Sequence, residues 1–578
     1  MKFSNKSLLA AFVAVTMLAT QALAALPTIV AAQKHAKTRG LSEEQRIIHV
    51  LNRLGFGARP GDVERVKSIG LENYIHQQLT PEKINDAVAD NKVKDLSVLT
   101  MTTAELYQKY PQPGQLLRQL QARGMLPTDL QSNPQNDPSN PRDEKARKVL
   151  EEYYRENGLQ RPQRIIAELQ ASRILRAVYS ERQLQEVMVD FWTNHFNIFA
   201  NKGADRWLLP AYDRDTIRPN AMGKFSQLLL ATAQSPAMLF YLDNFQSVSP
   251  DANRGGARRM LNQPQQQRRG INENYARELM ELHTLGVDGG YTQKDVQEIA
   301  RCFTGWTIFQ PRGGAAAVNA MLGREAAREM ARRVPGTFFF NPRVHDDGEK
   351  VVLGHKIAAG GGIKDGLTVL EILSRHPSTA KYIATKLVRH FVSDTPPPAL
   401  VDRVANAFTK SHGDIRETLK ALIFSKEFNS PEAYRAKIKR PFELVVSAIR
   451  TLGADTNGGP GTHQWMARMG EPLYGFQTPN GYSDAAESWV NTGGLLERMN
   501  FGLALAGNRV QGTRVDLARL SGPEKTKLID ESLKLIVAGD ISPATRETLM
   551  KQIDETKAND TVAKVVGLIL GTPEFQRQ

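Results

Sequence analysis

Residues Asn272–Trp306 read NENYARELMELHTLGVDGGYTQKDVQEIARCFTGW and predict a helix, a glycine-rich turn and a second helix. Glu273, Arg277 and Glu281 recur at every fourth residue, so they share one face of the first helix. Glycines at positions 286, 289 and 290 take positive φ readily and are predicted to end this helix. A helix pair with so many ionisable groups among apolar ones must bury some of them. Because buried charge is costly unless it is paired or binds a metal, this stretch directs the search for a functional site.

The chain has the composition of an ordinary globular protein: of its 578 residues, 41% are hydrophobic and 24% are charged. Its formal net charge is +14, and the lysines and arginines are spread along the chain. A basic balance suits nucleic acid, an anionic polymer or a membrane surface. The sequence contains no recognisable nucleic-acid-binding signature, so we expect no nucleic-acid partner.

The N-terminus has the features of a secretory signal peptide. Lys2 and Lys6 precede an apolar run at 8–18, and Ala22-Leu23-Ala24 matches a cleavage site between small residues. We therefore expect residues 1–24 to be removed, which takes away two lysines and lowers the net charge from +14 to +12. An uncleaved anchor is the alternative, although the run is short for a membrane span. The prediction is a periplasmic or secreted protein with a flexible leader at 25–41.

The mature chain is predicted to be stabilised by packing alone. Cys302 is the single cysteine, so it has no partner for an internal disulfide. Its position inside the second helix favours a small buried hydrophobe over a nucleophile. No later segment is apolar enough to cross a bilayer, and we expect no transmembrane segment after signal cleavage.

Helical periodicity dominates the rest of the chain and predicts an all-α fold, a large single helical assembly with a small β-hairpin insertion near 336–354. Two long helices are expected at about 143–157 and 161–200. The hairpin is expected to pair Phe338–Phe340 with Val351–Leu353 through an Asp-Gly turn.

The domain boundaries follow from composition. The main helical domain is predicted at 42–510, and further helices packed on it at 511–578. Segments rich in proline, glycine, glutamine or arginine interrupt the helical pattern and predict exposed insertions; they lie near 131–142, 246–270 and 310–336.

A second polar cluster lies within the aromatic stretch FWTNHFNIF. Asp190 and Asn194 are one helical turn apart, and His195 follows directly. A histidine among aromatic neighbours must satisfy two ring nitrogens. It is either a structural histidine bonded to a carbonyl or carboxylate, or a metal ligand or general base.

These observations predict one site built from three segments. The segments are the helix that contains His195, the helix that contains Glu278 and Glu281, and the predicted hairpin with His345 and Asp346. Two histidines with carboxylates suit Zn, Fe or Mn, with one carboxylate left as a general base, although no HExxH spacing is present. Glu281 and His283 are two residues apart and share a site only if the helix ends there. We assign His195, Glu278, His345 and Asp346 as candidate ligands of a divalent metal. The catalytic candidates are Glu281, His195 and Arg277, and the binding candidates are Asn194, Trp306 and Tyr474.

The sequence resembles the bacterial family known as domain of unknown function 1800, over about 45–505. The resemblance is carried by these motifs, as they stand in this sequence: HVLNRLGFGARPGDVERV, FWTNHFNI, SPAMLFYLDN, NENYARELMELHTLGVDGGYTQKDVQEIARCFTGW, HDDGEKVVLG and MGEPLYGFQTPNGY. The resemblance implies a secreted, largely helical protein without an agreed activity. It also implies a secreted sulfatase-like partner protein.

Two functions from different classes fit these features. One is a metal-dependent hydrolase that acts on an envelope or extracellular polymer. The other is a non-catalytic envelope assembly or binding protein, in which the polar clusters are ion pairs such as Arg277 with Glu273 or Glu281. Both predict burial of these residues. Only the hydrolase predicts that the three segments meet at one open cleft.

Overall fold

The computed structural model describes residues 40–125, 141–250, 270–309, 336–520, 524–554 and 561–578. The predicted signal peptide, nearly all of the leader and most of the three predicted insertions lie outside these ranges. The described residues are mainly helical, with three small antiparallel sheets of two strands each. The predicted all-α class is confirmed. Within the described ranges, no helix combines the length and the apolar character needed to cross a bilayer.

The first part of the chain is a series of helices, most of them short. Glu43–Arg53 begins with a capping box, in which the Ser42 hydroxyl accepts from the Gln45 amide and the Gln45 side chain accepts from Ser42. The helices before residue 200 are α1 (Glu43–Arg53), α2 (Asp62–Ile69), α3 (Leu71–Leu79), α4 (Ala87–Val93), α5 (Thr103–Lys109), α6 (Pro113–Ala122), α7 (Pro141–Glu156), α8 (Gln163–Tyr179) and α9 (Gln183–His195).

The predicted long helix at 161–200 is wrong, because the chain breaks it into α8 and α9. Ser180 takes an extended conformation with ψ of 139°. Its hydroxyl accepts from the Arg182 amide and donates to the Asp86 carboxylate, both at 2.9 Å. Serine competes for backbone hydrogen bonds in this way at helix boundaries.

The middle of the chain contains the stretch with which the sequence analysis began. After α10 (Asp205–Ala211), a π-helical turn at Tyr212–Ile217 leads into the following helices. These are α11 (Arg218–Asn220), α12 (Phe225–Gln234), α13 (Pro236–Tyr241), α14 (Glu273–Glu281) and α15 (Gln293–Cys302). The predicted helix–turn–helix is present as α14 and α15, and Thr292 with Asp295 forms a capping box at the start of α15.

The predicted β-hairpin has the wrong strand partners. Strands β1 (Trp306–Phe309) and β2 (Thr337–Phe340) pair with each other, and β3 (Lys350–Val352) pairs with β4 (His355–Ile357). The turn of the second pair is Leu353–Gly354, where both residues have positive φ, 49° and 80°. A two-residue turn of that kind matches the twist of a hairpin, so the Asp-Gly dipeptide at 347–348 is not the hairpin turn.

Helices again make up nearly all of the C-terminal part, with one further strand pair. The helices are α16 (Ile363–Arg375), α17 (Pro377–Phe391), α18 (Pro398–Lys410), α19 (Ile415–Ile423), α20 (Pro441–Thr451), α21 (Pro460–Arg468), α22 (Thr492–Ala506), α23 (Lys525–Val537), α24 (Pro543–Asp554), α25 (Thr561–Leu570) and α26 (Pro573–Gln576). Strands β5 (Asp455–Thr456) and β6 (Thr513–Arg514) pair antiparallel. Short 3₁₀ turns lie at Pro81–Lys83, Ser97–Leu99, Asn244–Gln246, Pro342–Val344, Ala486–Ser488 and Ala518–Leu520.

A single large apolar core runs through most of these helices. It includes Ile47 of α1, Trp192 of α9, Phe391 of α17 and Phe575 of α26, each buried. The domain boundary predicted near residue 510 stays a prediction.

Candidate functional site

Asp190, which the sequence analysis placed in the second polar cluster, belongs to a buried ion-pair network. Asp190 accepts from Arg173 at 2.6 Å and also pairs with Arg440, and Arg440 donates to Glu471 at 2.8 Å. Burial alone would lower the pKa of Arg440, but the carboxylates of Glu471 and Asp190 raise it well above its usual value. This network connects α8, α9 and α20, and breaking such a pair would leave an uncompensated buried charge.

His345 and Asp346, two of the predicted metal ligands, are engaged by other side chains. The His345 Nδ1–H donates to the Thr304 carbonyl at 2.8 Å, and Nε2 lies 3.2 Å from the Asp365 carboxylate. Asp346 accepts two hydrogen bonds from Arg301, each of 3.0 Å. Both ring nitrogens and both carboxylate oxygens therefore have partners within the protein.

No group of three or more His, Cys, Asp or Glu side chains is arranged to hold a metal ion within the described part of the chain. The four predicted ligands lie within it, and the structure does not bring them together in that way. A metal centre built from all four stays without geometric support.

The three predicted binding residues fix the fold locally. Trp306 is fully buried against Gly366 of α16. Tyr474 is 7% exposed, and its carbonyl accepts from the Ala200 amide at 3.0 Å. Asn194 is hydrogen-bonded to the backbone of Tyr482 through both of its side-chain polar atoms. Each side chain is used in packing or in joining segments.

His195 and His283 meet behind the end of α14. The helix ends at Glu281, so the direction of the His283 side chain is not fixed by the helix. This is the condition that the sequence analysis set for Glu281 and His283 to share a site. His195 Nε2 lies 3.1 Å from the His283 carbonyl, which only accepts, so Nε2 carries the proton. The other nitrogen of His195, Nδ1, and the Nε2 of His283 are buried without a hydrogen-bond partner.

The two imidazoles are neutral at physiological pH. Burial, followed by the charge of Lys386, lowers the pKa of His195 well below its usual value and lowers that of His283 to about 3. Lys386 is itself affected: burial lowers its pKa to about 8, against the opposing effect of Asp484. Each of the three groups therefore favours a neutral form more strongly than it would in water.

Glu278 and Glu281 lie on the last turn of α14, shortly before His283 in the chain. Both are half-buried. Burial and the neighbouring charge of Glu281 raise the pKa of Glu278, and Arg277 opposes the shift. Glu281 accepts a hydrogen bond from the Tyr291 hydroxyl at 3.3 Å. Two adjacent carboxyl groups whose environment favours protonation of one are typical of acid–base sites.

Tyr382 and Lys386 complete the site from α17, where they are one helical turn apart. The Tyr382 ring centroid lies 6.2 Å from that of His195, and the Lys386 Nζ lies 5.7 Å from the Tyr382 centroid. Glu281 acts electrostatically on Tyr382, so Glu281 and His195 are neighbours of the same residue. We call the group of Glu278, Glu281, His195, His283, Tyr382 and Lys386 the carboxylate–imidazole cluster.

The cluster unites some of the predicted site residues and leaves others out. His195, Glu278 and Glu281 belong to it. Arg277 lies at its edge, where it donates to Gln293 at 2.8 Å. The sequence analysis missed Tyr382 and Lys386, whose spacing of four residues in a predicted helix was the only local sign of a shared face. It also did not assign His283 to the site, although a helix that ends at Glu281 allows His283 to belong to it.

The cluster lies where motifs from distant parts of the chain meet. FWTNHFNI supplies His195, the stretch at 272–306 supplies the carboxylates and His283, and the loop of MGEPLYGFQTPNGY is fixed beside them through Asn194 and Tyr482. The fold and the cluster define an all-α protein with a half-buried cluster of titratable side chains on a scaffold of buried ion pairs. The chain matches the family model described as a protein of unknown function, DUF1800, over residues 49–577, and it belongs to that family. Neither the curated proteins nor the solved structures compared with the chain gave a match.

Proposed function

We propose that this protein is an exported hydrolase of an envelope or extracellular polysaccharide, with Glu278 as proton donor and Glu281 as base. The observation that carries the proposal is the pairing of Glu278 with Glu281 on the last turn of α14, where burial raises the pKa of Glu278. Hydrolysis of a glycosidic bond uses two carboxyl groups, one of which donates a proton. The signal-like N-terminus supports a location outside the cytoplasm.

The Tyr382 hydroxyl and the Lys386 ammonium are donors that suit the hydroxyl groups of a sugar. The neutral imidazoles of His195 and His283 are buried beside them and do not contact the polymer. Because Glu278, Glu281, Tyr382 and Lys386 are half-buried, they border the surface rather than a closed chamber. Such a site suits a polymer better than a small molecule. The proposed mechanism uses these side chains and no metal.

The test is the release of reducing ends from purified peptidoglycan and from neutral and acidic polysaccharides. Replacing Glu278→Gln or Glu281→Gln should lower the rate by about 100-fold or more, the usual contribution of a general acid or base. Glu273→Gln is the matched control, because Glu273 lies on the same helix but bonds to Gln293. If no polymer is cleaved, or if both variants cleave at the wild-type rate, the proposal is wrong.

The pH dependence gives a second measurement. An acid must be protonated to act, so kcat/KM should fall as the pH rises through the raised pKa of Glu278. Glu278→Gln should lose this alkaline limb together with the activity. A profile without that limb would remove Glu278 from the role of acid.

A second candidate function is favoured by the buried ion pairs. Asp190 pairs with Arg173 and with Arg440, and Asp346 pairs with Arg301. These ion pairs support a structural role for the groups in a non-catalytic envelope assembly protein. With this candidate we propose a secreted sulfatase-like partner. Co-purification of the tagged protein from the envelope fraction with such a partner, together with absent polymer cleavage, would favour assembly over hydrolysis.

A further inference from the structure

A lysine and a serine outside the carboxylate–imidazole cluster are paired in the interior. Lys439 lies just before α20 and Ser447 lies within it, and the Lys439 Nζ is 2.9 Å from the Ser447 Oγ. The two residues are 3% and 1% exposed. The Lys439 backbone amide donates to the Gln576 carbonyl at 2.9 Å, which fixes the lysine between α20 and α26.

Lys439 has no carboxylate close enough to form an ion pair within the described residues. Its Nζ instead lies 4.0 Å from the centre of the Phe575 ring. Burial, followed by the charge of Arg435, lowers the pKa of Lys439 to about 7, and Glu443 opposes the shift only in part. A large fraction of the amine is therefore neutral near physiological pH, and a neutral amine accepts a proton from a hydroxyl.

Both residues open onto a cavity of about 370 Å³. Its lining includes the apolar side chains of Ile48, Val537 and Phe575, together with the lysine, the serine and several charged side chains. Ligand sites combine apolar surface with polar groups in this manner. The cavity is thus large enough for a small acyl group beside the Ser447 hydroxyl.

Gly57 keeps space free in front of the serine. A Cβ on this residue would lie 2.8 Å from the Ser447 Oγ and 3.4 Å from the Asn52 Oδ1, so the Ser447 hydroxyl and the Asn52 side-chain oxygen face the same gap. Gly57 also has a φ of 93°, which side chains rarely adopt. A residue with a side chain would fill this gap.

We propose that Ser447 and Lys439 form a nucleophile–base pair that hydrolyses carboxylic esters with an apolar acyl group. The arrangement of a hydroxyl nucleophile and a lysine base recurs in hydrolases that use serine and lysine. This activity is separate from the polysaccharide hydrolysis proposed above, since none of its residues belongs to the carboxylate–imidazole cluster.

The reaction needs water and no other reactant. The neutral Lys439 amine takes the proton of the Ser447 hydroxyl while Oγ attacks the ester carbonyl carbon, which gives a tetrahedral oxyanion. The carbon–oxygen bond to the alcohol breaks, and the alcohol leaves with the proton from Lys439. Water then attacks the acyl-serine with Lys439 as base, which releases the carboxylic acid and restores both side chains.

The experiment labels the full-length protein with a fluorophosphonate at about pH 8, where a lysine with a pKa of about 7 is largely neutral. Mass spectrometry then locates the adduct. We expect the phosphonyl group on Ser447, no such adduct in Ser447→Ala, and labelling at least about 100-fold slower in Lys439→Arg, whose guanidinium keeps its proton. Hydrolysis of p-nitrophenyl butyrate should fall in parallel.

Controls separate the reaction from a packing role. Ser532→Ala removes another fully buried serine hydroxyl, one without a hydrogen-bond partner, and should leave labelling unchanged. Gly57→Ala should slow labelling by blocking the gap. The thermal midpoint of each variant shows that it is folded. Folded wild-type protein without an adduct on Ser447, or labelling of Lys439→Arg at the wild-type rate, would overturn the proposal. Polymer cleavage should be unaffected in Ser447→Ala.

Discussion

Asn194 and Tyr482 join the end of α9 to a loop 288 residues later through two hydrogen bonds. The Asn194 Nδ2 donates to the Tyr482 carbonyl at 2.8 Å, and the Tyr482 amide donates to the Asn194 Oδ1 at 2.7 Å. Gly481 fits against this contact, because a Cβ there would lie 2.3 Å from the Asn194 carbonyl oxygen. The pair thus positions the aromatic loop beside His195.

We predict that Asn194→Ala destabilises the protein by about 2–3 kcal/mol, since two backbone groups lose their partners. Gly481→Ala should also destabilise it, through a clash and through its φ of 71°. The midpoint of thermal unfolding measures both. Asn480→Ala is the control, because Asn480 is exposed in the same loop. An unchanged midpoint in Asn194→Ala would show that the loop is held by other contacts.

Local patterns in the sequence were sufficient for much of the fold. The helices α14 and α15 follow from periodicity and capping, which involve residues close in the chain. Strand pairing was predicted less well, because the Asp-Gly at 347–348 is a stronger local turn signal than Leu353–Gly354, where the chain turns. The favourable turn was outweighed by contacts of His345 with Thr304 and Asp365, which are distant in sequence.

The site was predicted only in part, for the same reason. His195, Glu278 and Glu281 lie in motifs with an evident helical face, and they share one neighbourhood in the structure. Tyr382 and Lys386 come from α17, whose sequence alone does not tell which of its faces meets α14. Whether His345 and Asp346 bind a metal depends on their other partners. Asp346 pairs with Arg301, which is far from it in the chain.

Cys302 should be unreactive in the folded protein. It is fully buried, and burial raises the pKa of its thiol to about 12. Since the thiolate is the reactive form, native protein should show almost no reaction with a thiol reagent near neutral pH, and protein unfolded in guanidinium chloride should show one thiol. Rapid reaction of the native protein would mean that α15 opens readily.

Asp205 should destabilise the protein more as the pH rises. Both carboxylate oxygens are buried without a partner, and burial raises the pKa of Asp205 well above its usual value. Between the pKa of the unfolded chain, about 4, and the raised pKa, the unfolded state gives up its proton first, so stability falls with rising pH. Asp205→Asn should therefore be more stable than the wild type near pH 7, with a smaller gain near pH 4.

The measurement for Asp205 is urea unfolding of both proteins at a series of pH values. Asp347→Asn is the control, because it makes the same change at an exposed aspartate. A difference between Asp205→Asn and the wild type that is constant over this range would mean that the Asp205 carboxyl is not the group that titrates.

Asp365 and Lys350 form an ion pair of 2.7 Å in which the side chains are 1% and 0% exposed. Asp365→Asn removes the charge that balances the buried ammonium, so it should cost about 3–5 kcal/mol. Adding Lys350→Met removes the ammonium as well, and this double variant should recover part of the loss even though it changes two core residues. Urea unfolding of the single and double variants measures the coupling. A double variant as unstable as the sum of the two single variants would mean that the loss comes from packing around α16 rather than from an unbalanced charge.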